Sequence, residues 1–456
     1  MQYSAMKLDN KLAKDNKKFQ AAKFIINELK NNGHEGYIVG GAVRDLCMNI
    51  EPDEFDISTS ATPKEIQEIF KKTKPVGQSF GVVLVIIENM FFEVATFRED
   101  MEYLDGRHPV DVKYTKNPKI DVMRRDFTVN GLMLNPDTSE VIDFCDGIKD
   151  IKEGILRTIG APKERFSEDN LRILRAIRFS NKYNLKIEEK TKKEIVNMSD
   201  NIINVSIERI REEFVKIITN KNPGEGVKLL SDYGLMKIII PEIDDLKGVK
   251  QPDEFHPEGD VFVHTCLVLD RLRDNHYVEP VLALGGLLHD IGKPSTYTNT
   301  DRIRFNRHEY VGAILTEKIC KRLKFSNKQI ADIKSLVSEH MKFGNIKEMK
   351  KSTFKRFISM ENFDLHLKLH KADCLASHGD LSLLDFTINK ISELKNEPIK
   401  PKPLISGDDL ISLGLKPGPR FKEILSEIFD EQLEGNILNH KEGISFASKL
   451  IKKYEN

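Results

Sequence analysis

Residues 37–59, YIVGGAVRDLCMNIEPDEFDIST, decide the fold expected for the first part of this chain. Together with the preceding glycine they predict a short apolar strand over 36–39, which Gly40 and Gly41 end. Residues 42–48 then predict a helix whose first turn carries Arg44. Free backbone N–H groups at a helix start favour an anion, and a planar guanidinium is suited to a phosphate. The sequence therefore predicts an anion-binding turn at Gly40, Gly41 and Arg44.

Carboxylates follow in a second predicted strand, residues 54–58. Side chains of a strand alternate, so Glu54 and Asp56 share one face while Asp53 points to the other. Carboxylate oxygens hold Mg²⁺, and Mg²⁺ neutralises the charge of a triphosphate. The pair beside the glycine turn predicts metal-dependent phosphoryl or nucleotidyl transfer, with Glu54 and Asp56 as catalytic residues and metal ligands.

The pattern G-G-x-V-R-D at 40–45, followed by E-F-D-I-S-T at 54–59, resembles a known family. It is similar to the class II CCA-adding transfer-RNA nucleotidyltransferases and bacterial poly(A) polymerases, whose second motif is D-x-D-h-x-T. One position departs from that motif, because Glu54 stands where the family has aspartate. Alternation favours Glu54 as the first metal ligand. A bulge that brings Asp53 to the same face is the alternative.

The resemblance implies an α+β fold that begins with a DNA polymerase β-like nucleotidyltransferase head, a mixed sheet with helices. All-α neck, HD and tail domains are expected to follow. The sequence agrees, because helical patterns dominate after about residue 151 and prolines cluster at 398–403. We expect the head at 1–150, the neck at 151–240, the HD domain at 241–395 and the tail at 396–456.

A recurrence of charged residues at 168–178, EDNLRILRAIR, predicts a base-reading helix. Asp169, Arg172, Arg175 and Arg178 are spaced three apart, so neighbours adjoin on one helix. An aspartate and an arginine one turn apart offer an acceptor and donors to one base edge. Cytosine and adenine match that set, whereas guanine and uracil present the reverse. The family's E-D-x-x-R element implies base selection by Asp169 and Arg172, and contacts with phosphate or ribose by Arg175 and Arg178.

Other stretches of the first 215 residues match family motifs. The R-R-D at 124–126 implies that Arg125 binds the triphosphate or ribose and that Asp126 helps to orient it. Residues 103–109 resemble the flexible loop of enzymes that add A as well as C. Residues 208–213 resemble a structural brace between helices. Glu93, inside the apolar run 91–97, is either an edge-strand charge or a third carboxylate facing the metals.

A second set of candidate ligands lies between residues 264 and 373 and follows the order of an HD-type metal phosphohydrolase. Imidazoles with carboxylates suit a divalent transition metal, whose identity the sequence does not give, and the extra histidines permit a second ion. The resemblance implies hydrolysis of 2′,3′-cyclic phosphates or 2′-nucleotides. The predicted ligands are His264, His289, Asp290, His308, His340 and Asp373.

Composition narrows the protein's class without revealing its substrate. The chain has 71 basic and 71 acidic residues, so net charge gives no sign of nucleic-acid binding. Its five cysteines are scattered without a C-x-x-C motif, which favours a reducing compartment over disulfides. The start of the chain is polar and lysine-rich, unlike a signal peptide. These features predict a cytoplasmic protein that does not act in a membrane.

The combined expectation is an enzyme that adds C, C and A to the 3′ end of transfer RNA from CTP and ATP. Mg²⁺ is expected at Glu54 and Asp56, and the triphosphate at Gly40, Gly41, Arg44 and Arg125. Poly(A) synthesis and addition of the final A alone remain alternatives. So does a phosphohydrolase whose head only docks RNA. The oligomeric state and protein partners are not predicted.

Overall fold

The computed structural model describes residues 4–8, 15–75, 81–100, 112–252, 254, 256–273, 277–395 and 397–455. The loop predicted at 103–109, with Arg107, lies outside these residues. The chain forms two compact units, Met1–Ile239 and Ile240–Asn456. The finer division of the chain into head, neck, HD domain and tail stays a prediction.

A mixed eight-stranded sheet organises the first half of the first unit. Its strands are β1 (Ser4–Lys7), β2 (Gly36–Val39), β3 (Asp56–Thr59), β4 (Thr73–Pro75), β5 (Val82–Ile87), β6 (Met90–Thr96), β9 (Leu132–Asn135) and β10 (Glu140–Asp143), while β7 (Arg98–Asp100) and β8 (Val112–Tyr114) form a separate pair. The order across the sheet is β1-β10-β9-β2-β3-β6-β5-β4. Strands β3 and β6 run parallel and the other neighbours antiparallel. This confirms the mixed sheet expected of the head.

Helices surround the sheet and then make up the rest of the unit. They are α1 (Lys17–Asn31), α2 (Gly41–Cys47), α3 (Pro63–Ile69), α4 (Pro118–Met123), α5 (Gly147–Glu153), α6 (Pro162–Glu168), α7 (Leu171–Tyr183), α8 (Glu189–Asn197), α9 (Ile207–Ile218), α10 (Pro223–Asp232) and α11 (Met236–Ile239). A short parallel pair, β11 (Ile155–Leu156) with β12 (Lys186–Ile187), lies among them.

Local sequence accounts for several of these elements. Helix α1 buries Ile25, Ile26 and Leu29 completely, as its apolar stripe predicts. Helix α3 begins with a capping box, in which the Thr62 hydroxyl accepts from the Glu65 amide and the Glu65 carboxylate accepts from the Thr62 amide. The helix ends at Ile69, and Phe70 follows with extended backbone angles.

The predicted strand at 54–58 is wrong at its start, because β3 begins only at Asp56. Phe55 is almost fully buried, with its ring 5.7 Å from that of Phe19 on α1. The packing of Phe55 fixes the residues that lead into β3, although these residues are not paired with a neighbouring strand. Glu54 therefore precedes the sheet, and its position does not follow from strand alternation.

In its described residues, the second unit is helical apart from one hairpin. Its elements are α12 (Pro241–Asp244), α13 (Val261–Arg271), α14 (Pro280–Leu288), α15 (Lys293–Thr296), β13 (Tyr297–Asn299), β14 (Ile303–Phe305), α16 (His308–Arg322), α17 (Asn327–Glu339), α18 (Lys351–Ile358), α19 (Phe363–Ala376), α20 (Ser382–Glu393), α21 (Gly407–Ser412), α22 (Arg420–Glu434) and α23 (His440–Glu455). The last three helices share an apolar cluster that runs from Ile405 to Ile451. Among the described helices, none has both the length and the apolar composition needed to cross a bilayer.

Candidate active site

A polar cleft of about 480 Å³ in the first unit collects most of the predicted head and neck residues. Its walls carry eight basic side chains and three acidic ones, which favours a polyanionic ligand such as a triphosphate. Of the ten residues predicted for this site, only Glu54 does not line the cleft. The nine that do are Gly40, Gly41, Arg44, Asp56, Arg125, Asp169, Arg172, Arg175 and Arg178.

The glycine turn at the cleft depends on the absence of side chains. Gly40 has φ +68° and ψ −126°, a conformation that side-chain-bearing residues rarely adopt. A Cβ at Gly40 would lie 3.3 Å from Nη1 of Arg125, and one at Gly41 would lie 3.5 Å from Nη2 of Arg44. The constraint therefore falls on Gly40, through its positive φ and the close guanidinium of Arg125, whereas the 3.5 Å distance at Gly41 is ordinary van der Waals contact.

Arg44 is buried and held from several sides. Its Nε and Nη2 donate to Asp45 at 2.9 and 2.8 Å, and its Nη1 donates to Asn130 at 2.6 Å. Nη2 also donates to the Tyr183 hydroxyl, and the guanidinium stacks 4.1 Å from the centre of that ring. The ring of Phe179 lies 5.1 Å from the same guanidinium. Arg44 is therefore a fixed cation at the cleft wall.

Arg125 is oriented by the carboxylate of Asp121 and not, as predicted, by that of Asp126. Nη2 of Arg125 donates to the Ser58 hydroxyl and to Asp121, both at 3.1 Å. Asp121 is fully buried and also accepts from Nε and Nη2 of Arg124 at 3.0 and 2.6 Å. These arginine charges hold the pKa of Asp121 below its usual value although burial acts to raise it.

Asp126 instead holds Arg175, so its predicted role beside Arg125 is wrong. Nε and Nη2 of Arg175 donate to Asp126 at 2.8 and 2.5 Å. The other carboxylate oxygen accepts from the Asn130 amide and the Phe127 backbone. Burial acts to raise the pKa of Asp126, but the charge of Arg175 and the Asn130 hydrogen bond outweigh it and lower the pKa to about 2. The carboxylate ties helix α7 to the turn after α4.

The acidic residues near the glycine turn repel one another. The pKa of Asp56 is raised to about 6, chiefly because surrounding protein atoms reduce the hydration of its carboxylate. The charges of Glu93 and Glu54 raise this pKa further, whereas the charge of Arg125 lowers it. Because Ile57 on β3 pairs with Val94 on parallel β6, the preceding residues Asp56 and Glu93 lie side by side. Glu93 thus occupies the position that the third-carboxylate interpretation requires.

Asp53 lies toward a different depression. Its backbone carbonyl accepts from Nζ of Lys18 at 2.6 Å, and it lines a surface pocket with Asn16 and Glu51 rather than the cleft. The choice of Glu54 over Asp53 as a metal ligand stays a prediction, favoured by the electrostatic contact of Glu54 with Asp56.

The base-reading residues do not share one helix, so that part of the prediction is wrong. Helix α6 ends at Glu168, Asp169 has the extended backbone angles φ −149° and ψ 103°, and α7 starts at Leu171. Asp169 accepts from the Leu171 amide at 3.1 Å and from Nη2 of Arg209 at 2.7 Å. It stands at the break between the helices and still faces the cleft.

Arg172 makes contacts that link helix α7 to α6 and to the turn after α4. Nη1 donates to Glu168 at 2.5 Å and to the carbonyl of Arg165 at 3.0 Å, and Nη2 donates to the carbonyl of Arg124 at 2.9 Å. Asp169 and Arg172 thus face one cleft, each with a different protein partner.

The cleft also contains residues that the sequence analysis did not single out, among them Asn130, Phe179, Lys182 and Tyr183. Arg178 pairs with Glu213 at 2.8 Å and stacks 4.3 Å from the centre of the Phe179 ring. Phe179 and Tyr183 are one helical turn apart on α7, on the face that carries Arg175. That spacing was visible in the sequence and would have placed both rings beside the predicted arginines. The additional cleft residues are Arg124, Asp126, Asn130, Leu171, Phe179, Lys182, Tyr183 and Arg209.

The second unit brings the six predicted HD residues together. His264 lies on α13, and His289 and Asp290 directly follow α14. His308 starts α16, His340 directly follows α17, and Asp373 lies on α19. Nε2 of His264 lies 3.3 Å from Nε2 of His289 and 3.1 Å from Asp373. Nε2 of His308 lies 3.2 Å from Nε2 of His340 and 3.4 Å from Asp290.

Neighbours not predicted from the sequence complete this cluster. Glu258 accepts from Nδ1 of His264 at 2.6 Å. Nζ of Lys293 lies 2.7 Å from Asp290 and donates to Gln251 at 2.6 Å. Burial acts to raise the pKa of Asp290, but the charges of His289 and Lys293 hold it well below its usual value. Imidazole nitrogens and ionised carboxylates that converge in this way can hold a transition metal.

Known protein families match successive parts of the chain. Residues 36–157 match the Poly A polymerase head domain, 184–247 match the RNA and SrmB-binding site of polymerase A, and 313–447 match the tRNA nucleotidyltransferase domain 2. The match to the head domain covers the glycine turn, the acidic residues and Arg125.

Curated relatives carry the name CCA-adding enzyme. The enzyme of Ligilactobacillus salivarius is 30% identical over 441 residues, which span 95% of this chain and 97% of that enzyme. The enzyme of Bacillus licheniformis is 39% identical over 233 residues, which span 51% of this chain and 57% of that enzyme. Several of the matches therefore span only about half of the relative, whereas others extend over almost its whole length.

Solved structures share the fold. The Bacillus stearothermophilus CCA-adding enzyme in complex with CTP aligns with a TM-score of 0.75 and 23% identity over 96% of this chain and 99% of that one. The Thermotoga maritima CCA-adding enzyme complexed with transfer RNA aligns with a TM-score of 0.60 and 20% identity over 99% of this chain and 100% of that one.

Proposed function

The chain belongs to the family of CCA-adding enzymes, and we propose that it adds C, C and A to the 3′ end of transfer RNA from CTP and ATP without a nucleic-acid template. The observation that carries this proposal is the cleft that combines Asp56, the glycine turn and an excess of arginines with Asp169 and Arg172. Its residues supply an acidic site for a metal, a cationic site for a triphosphate and a polar edge for a base. The cytoplasm is the expected compartment, because these substrates are found there.

The acidic side chains are the proposed metal site. Glu54 and Asp56 would hold Mg²⁺, and Glu93 is placed to act as a third ligand because it lies beside Asp56 in the parallel strands. When bound, Mg²⁺ supplies charge neutralisation at the triphosphate and acidifies the attacking hydroxyl. Among the described residues, the sets of three ligands whose atoms lie within 4.8 Å of one another all belong to the second unit.

The arginines are the proposed triphosphate site. Arg44 and Arg125 flank the glycine turn and are held by Asn130, Asp121 and neighbouring groups. Because these contacts fix the guanidinium groups in advance, little ordering is required when the nucleotide binds. The 3′-oxygen of the RNA attacks the α-phosphorus, the bond to the bridging oxygen breaks, and pyrophosphate leaves. Catalysis then comes from positioning and charge neutralisation.

Asp169 and Arg172 are the proposed base-reading pair. The carboxylate would accept from the exocyclic amine of cytosine or adenine, while the guanidinium would donate to the adjacent ring nitrogen. Their present partners, Arg209 and Glu168, hold them at the cleft wall. A base with the reverse pattern would leave these polar groups unpaired, which disfavours uracil and guanine.

A panel of substrates tests this function. Purified protein is incubated with each single nucleoside triphosphate and with transfer RNA ending before the first C, after CC, or with unrelated RNA. The proposal predicts C addition to the first acceptor and a single A on the second. Poly(A) synthesis on unrelated RNA would contradict it, and activity only on the acceptor that already ends in CC would identify an A-adding enzyme.

The histidine cluster supports a second candidate function, metal-dependent phosphoester hydrolysis. The convergence of His264, His289, Asp290 and Asp373 is the specific observation, and a divalent transition metal would supply Lewis acidity there. Hydrolysis of 2′,3′-cyclic nucleotides or 2′-nucleotides by the metal-loaded chain tests it. His289→Ala should abolish this hydrolysis and leave nucleotide addition intact. Hydrolysis that survives this change would refute the assignment.

A further inference from the structure

The face of the head sheet that carries Asp56 continues across β6, β5 and β4, and part of it is apolar and exposed. On β6 the ring of Phe91 is 61% exposed. We propose that this face binds the single-stranded 3′ end of the acceptor RNA, and that the terminal base stacks on Phe91. The proposal rests on the nucleotide addition proposed above and adds the position of the attacking strand and the side chains that hold it.

Alternation along the strands shows which side chains share this face. Four buried residues of β5 and β6 point into the core that the sheet shares with helices α1 and α3: Val83, Val85, Phe92 and Val94. Phe91 and Glu93 lie on either side of Phe92, so both point away from that core. Glu93 lies beside Asp56 on the neighbouring strand. The two carboxylates and the ring of Phe91 are therefore on one side of the sheet.

Strand pairing extends the exposed ring into a first row of side chains. Ile86 on β5 lies opposite Phe91, and its half-buried side chain continues the apolar surface. The Ile86 amide donates to the carbonyl of Lys72 at 3.0 Å, which places Lys72 opposite Ile86 just before β4. Residues directly opposite one another in a sheet share a face. The first row is therefore an aromatic ring, an aliphatic side chain and an exposed lysine.

A second row starts at the proposed metal site. Leu84 on β5 lies opposite Glu93, and Lys74 on β4 lies opposite Leu84. Leu84 is half-buried and Lys74 is exposed. The two rows thus place lysines at the outer edge of the face, and the ring and carboxylates near β3. Cationic groups combined with an aromatic surface suit a single RNA strand, because the lysines bind phosphates while a base stacks on the ring.

The geometry of the reaction favours the RNA, not the nucleotide, as the occupant of this face. Attacking and leaving oxygens lie roughly in line on opposite sides of the reacting phosphorus. In the proposed reaction pyrophosphate leaves toward the glycine turn after β2, which Arg125 approaches while it contacts Ser58 on β3. Strands β2 and β6 flank β3 on opposite sides. The 3′-oxygen therefore approaches Asp56 from the side of β6, where Glu93 and Phe91 lie.

The distance from the metal site to the ring suits one terminal nucleotide. Phe91 precedes Glu93 by two residues, which is about 6.6 Å along the strand. The base and the 3′-oxygen of a nucleotide are attached to the same ribose, so a 3′-oxygen beside Glu93 brings its base to the ring. Stacking on an aromatic side chain accepts any base. This tolerance is required because the terminal nucleotide of the RNA changes after each addition.

Steady-state kinetics with transfer RNA that lacks its 3′ CCA test the proposal on the full-length chain. Phe91→Ala should lower kcat/KM for this RNA about tenfold, the effect of one lost base–aromatic contact, and leave KM for CTP unchanged. Phe91→Tyr keeps the ring and should keep both values. The matched control is Phe24→Ala, because Phe24 is 49% exposed on α1, which packs on the opposite face of the sheet. Both values should be unchanged in this control.

Photocrosslinking locates the terminal base directly. Transfer RNA whose 3′-terminal nucleotide is 5-iodouridine is bound to the protein without nucleotide and irradiated, and the crosslinked peptide is identified by mass spectrometry. We expect the crosslink at Phe91, and a label inside the acceptor stem should not give it. Lys72→Gln and Lys74→Gln should each reduce the slope of log kcat/KM for the RNA against log salt by about 0.7. Lys64→Gln, at an exposed position on α3, is their control.

The outcomes separate this proposal from the nucleotide addition on which it rests. Absence of incorporation by the unmodified chain would contradict the addition itself. Unchanged RNA kinetics in Phe91→Ala, or a terminal crosslink elsewhere in the chain, would overturn the stacking surface while the addition stands. A change of oligomeric state in Phe91→Ala, measured by analytical ultracentrifugation, would also overturn it, because a second copy of the chain would then cover this face.

Discussion

The ion pair between Asp126 and Arg175 offers a quantitative test of how the head and helix α7 are joined. Asp126 is 7% exposed, and one of its oxygens accepts two hydrogen bonds from the guanidinium of Arg175 at 2.8 and 2.5 Å. Asp126→Asn keeps the size of the side chain and removes its charge. Arg175 would then face a neutral amide at the cleft wall.

Two estimates of the free energy of unfolding that Asp126→Asn loses are similar in size. A pKa of about 2 in place of the ordinary 3.8 corresponds to about 2 kcal/mol of stability at neutral pH. Loss of a hydrogen-bonded charge costs about 1.5–3 kcal/mol. Because the pKa of the folded state is depressed, this stabilisation is present above the unfolded pKa of about 3.9 and is lost as the pH falls through about 2. The difference between the native protein and Asp126→Asn should therefore shrink to about half at pH 3.

Hydrogen exchange of the α7 amides measures this free energy locally, which suits a chain with two units. The matched control is Asp137→Asn, because Asp137 pairs with Lys23 and Lys30 at the surface with its side chain 36% exposed. That change should cost less than about 1 kcal/mol. The reasoning fails if Asp126→Asn costs no more than the control, or if its effect is unchanged at pH 3.

Two substitutions, one at the cleft wall and one beside Asp56, have distinct expected signatures. Arg172→Ala should reduce kcat/KM for CTP and ATP by about 10- to 100-fold, because a charged hydrogen bond to the base is lost; UTP and GTP should be affected less, and equal losses for all four nucleotides would refute base reading by Arg172. Glu93→Gln should raise the Mg²⁺ concentration needed for half-maximal incorporation by about tenfold, since it removes a carboxylate beside Asp56. Glu140→Gln on β10 of the same sheet is the control and should leave the Mg²⁺ dependence unchanged.

The glycine turn and the HD residues were predictable because each depends on local chemistry or on residue order. Position 40 requires glycine because its φ is positive. The sequence shows this requirement as two glycines between an apolar strand and a helix. The histidines are recognisable in sequence by their order relative to the His-Asp pair at 289–290. Their orientation is set locally, because the second ring nitrogen of three of the four bonds to a backbone carbonyl three residues earlier. Such contacts lie within one turn of chain.

The partners of Asp126 and Asp121 could not be predicted, because they depend on how distant segments approach. Arg175 reaches Asp126 across 49 residues, whereas Arg125, its neighbour in sequence, turns toward Asp121. The side-by-side placement of Asp56 and Glu93 likewise requires the parallel pairing of β3 with β6, which no local pattern specifies.

The break at Asp169 was partly visible in the sequence. Spacing of three suggested a continuous helix through 169–178, but Asp169 and Asn170 stand immediately before the apolar run of α7. Such residues favour helix starts, because their side chains compete for backbone amides, as Asp169 does with the amide of Leu171. Capping preference therefore outweighed the periodicity of the charges.

Nucleotide incorporation by Asp56→Asn tests the central claim most directly, with Asp53→Asn as its matched control three residues away. The acceptor is transfer RNA lacking its 3′ CCA, with CTP and ATP in saturating Mg²⁺. We predict a rate about a thousandfold lower for Asp56→Asn, equivalent to about 4 kcal/mol, and a rate within about twofold of the unmodified chain for Asp53→Asn. Incorporation by Asp56→Asn at the unmodified rate would show that the head acids are not the catalyst.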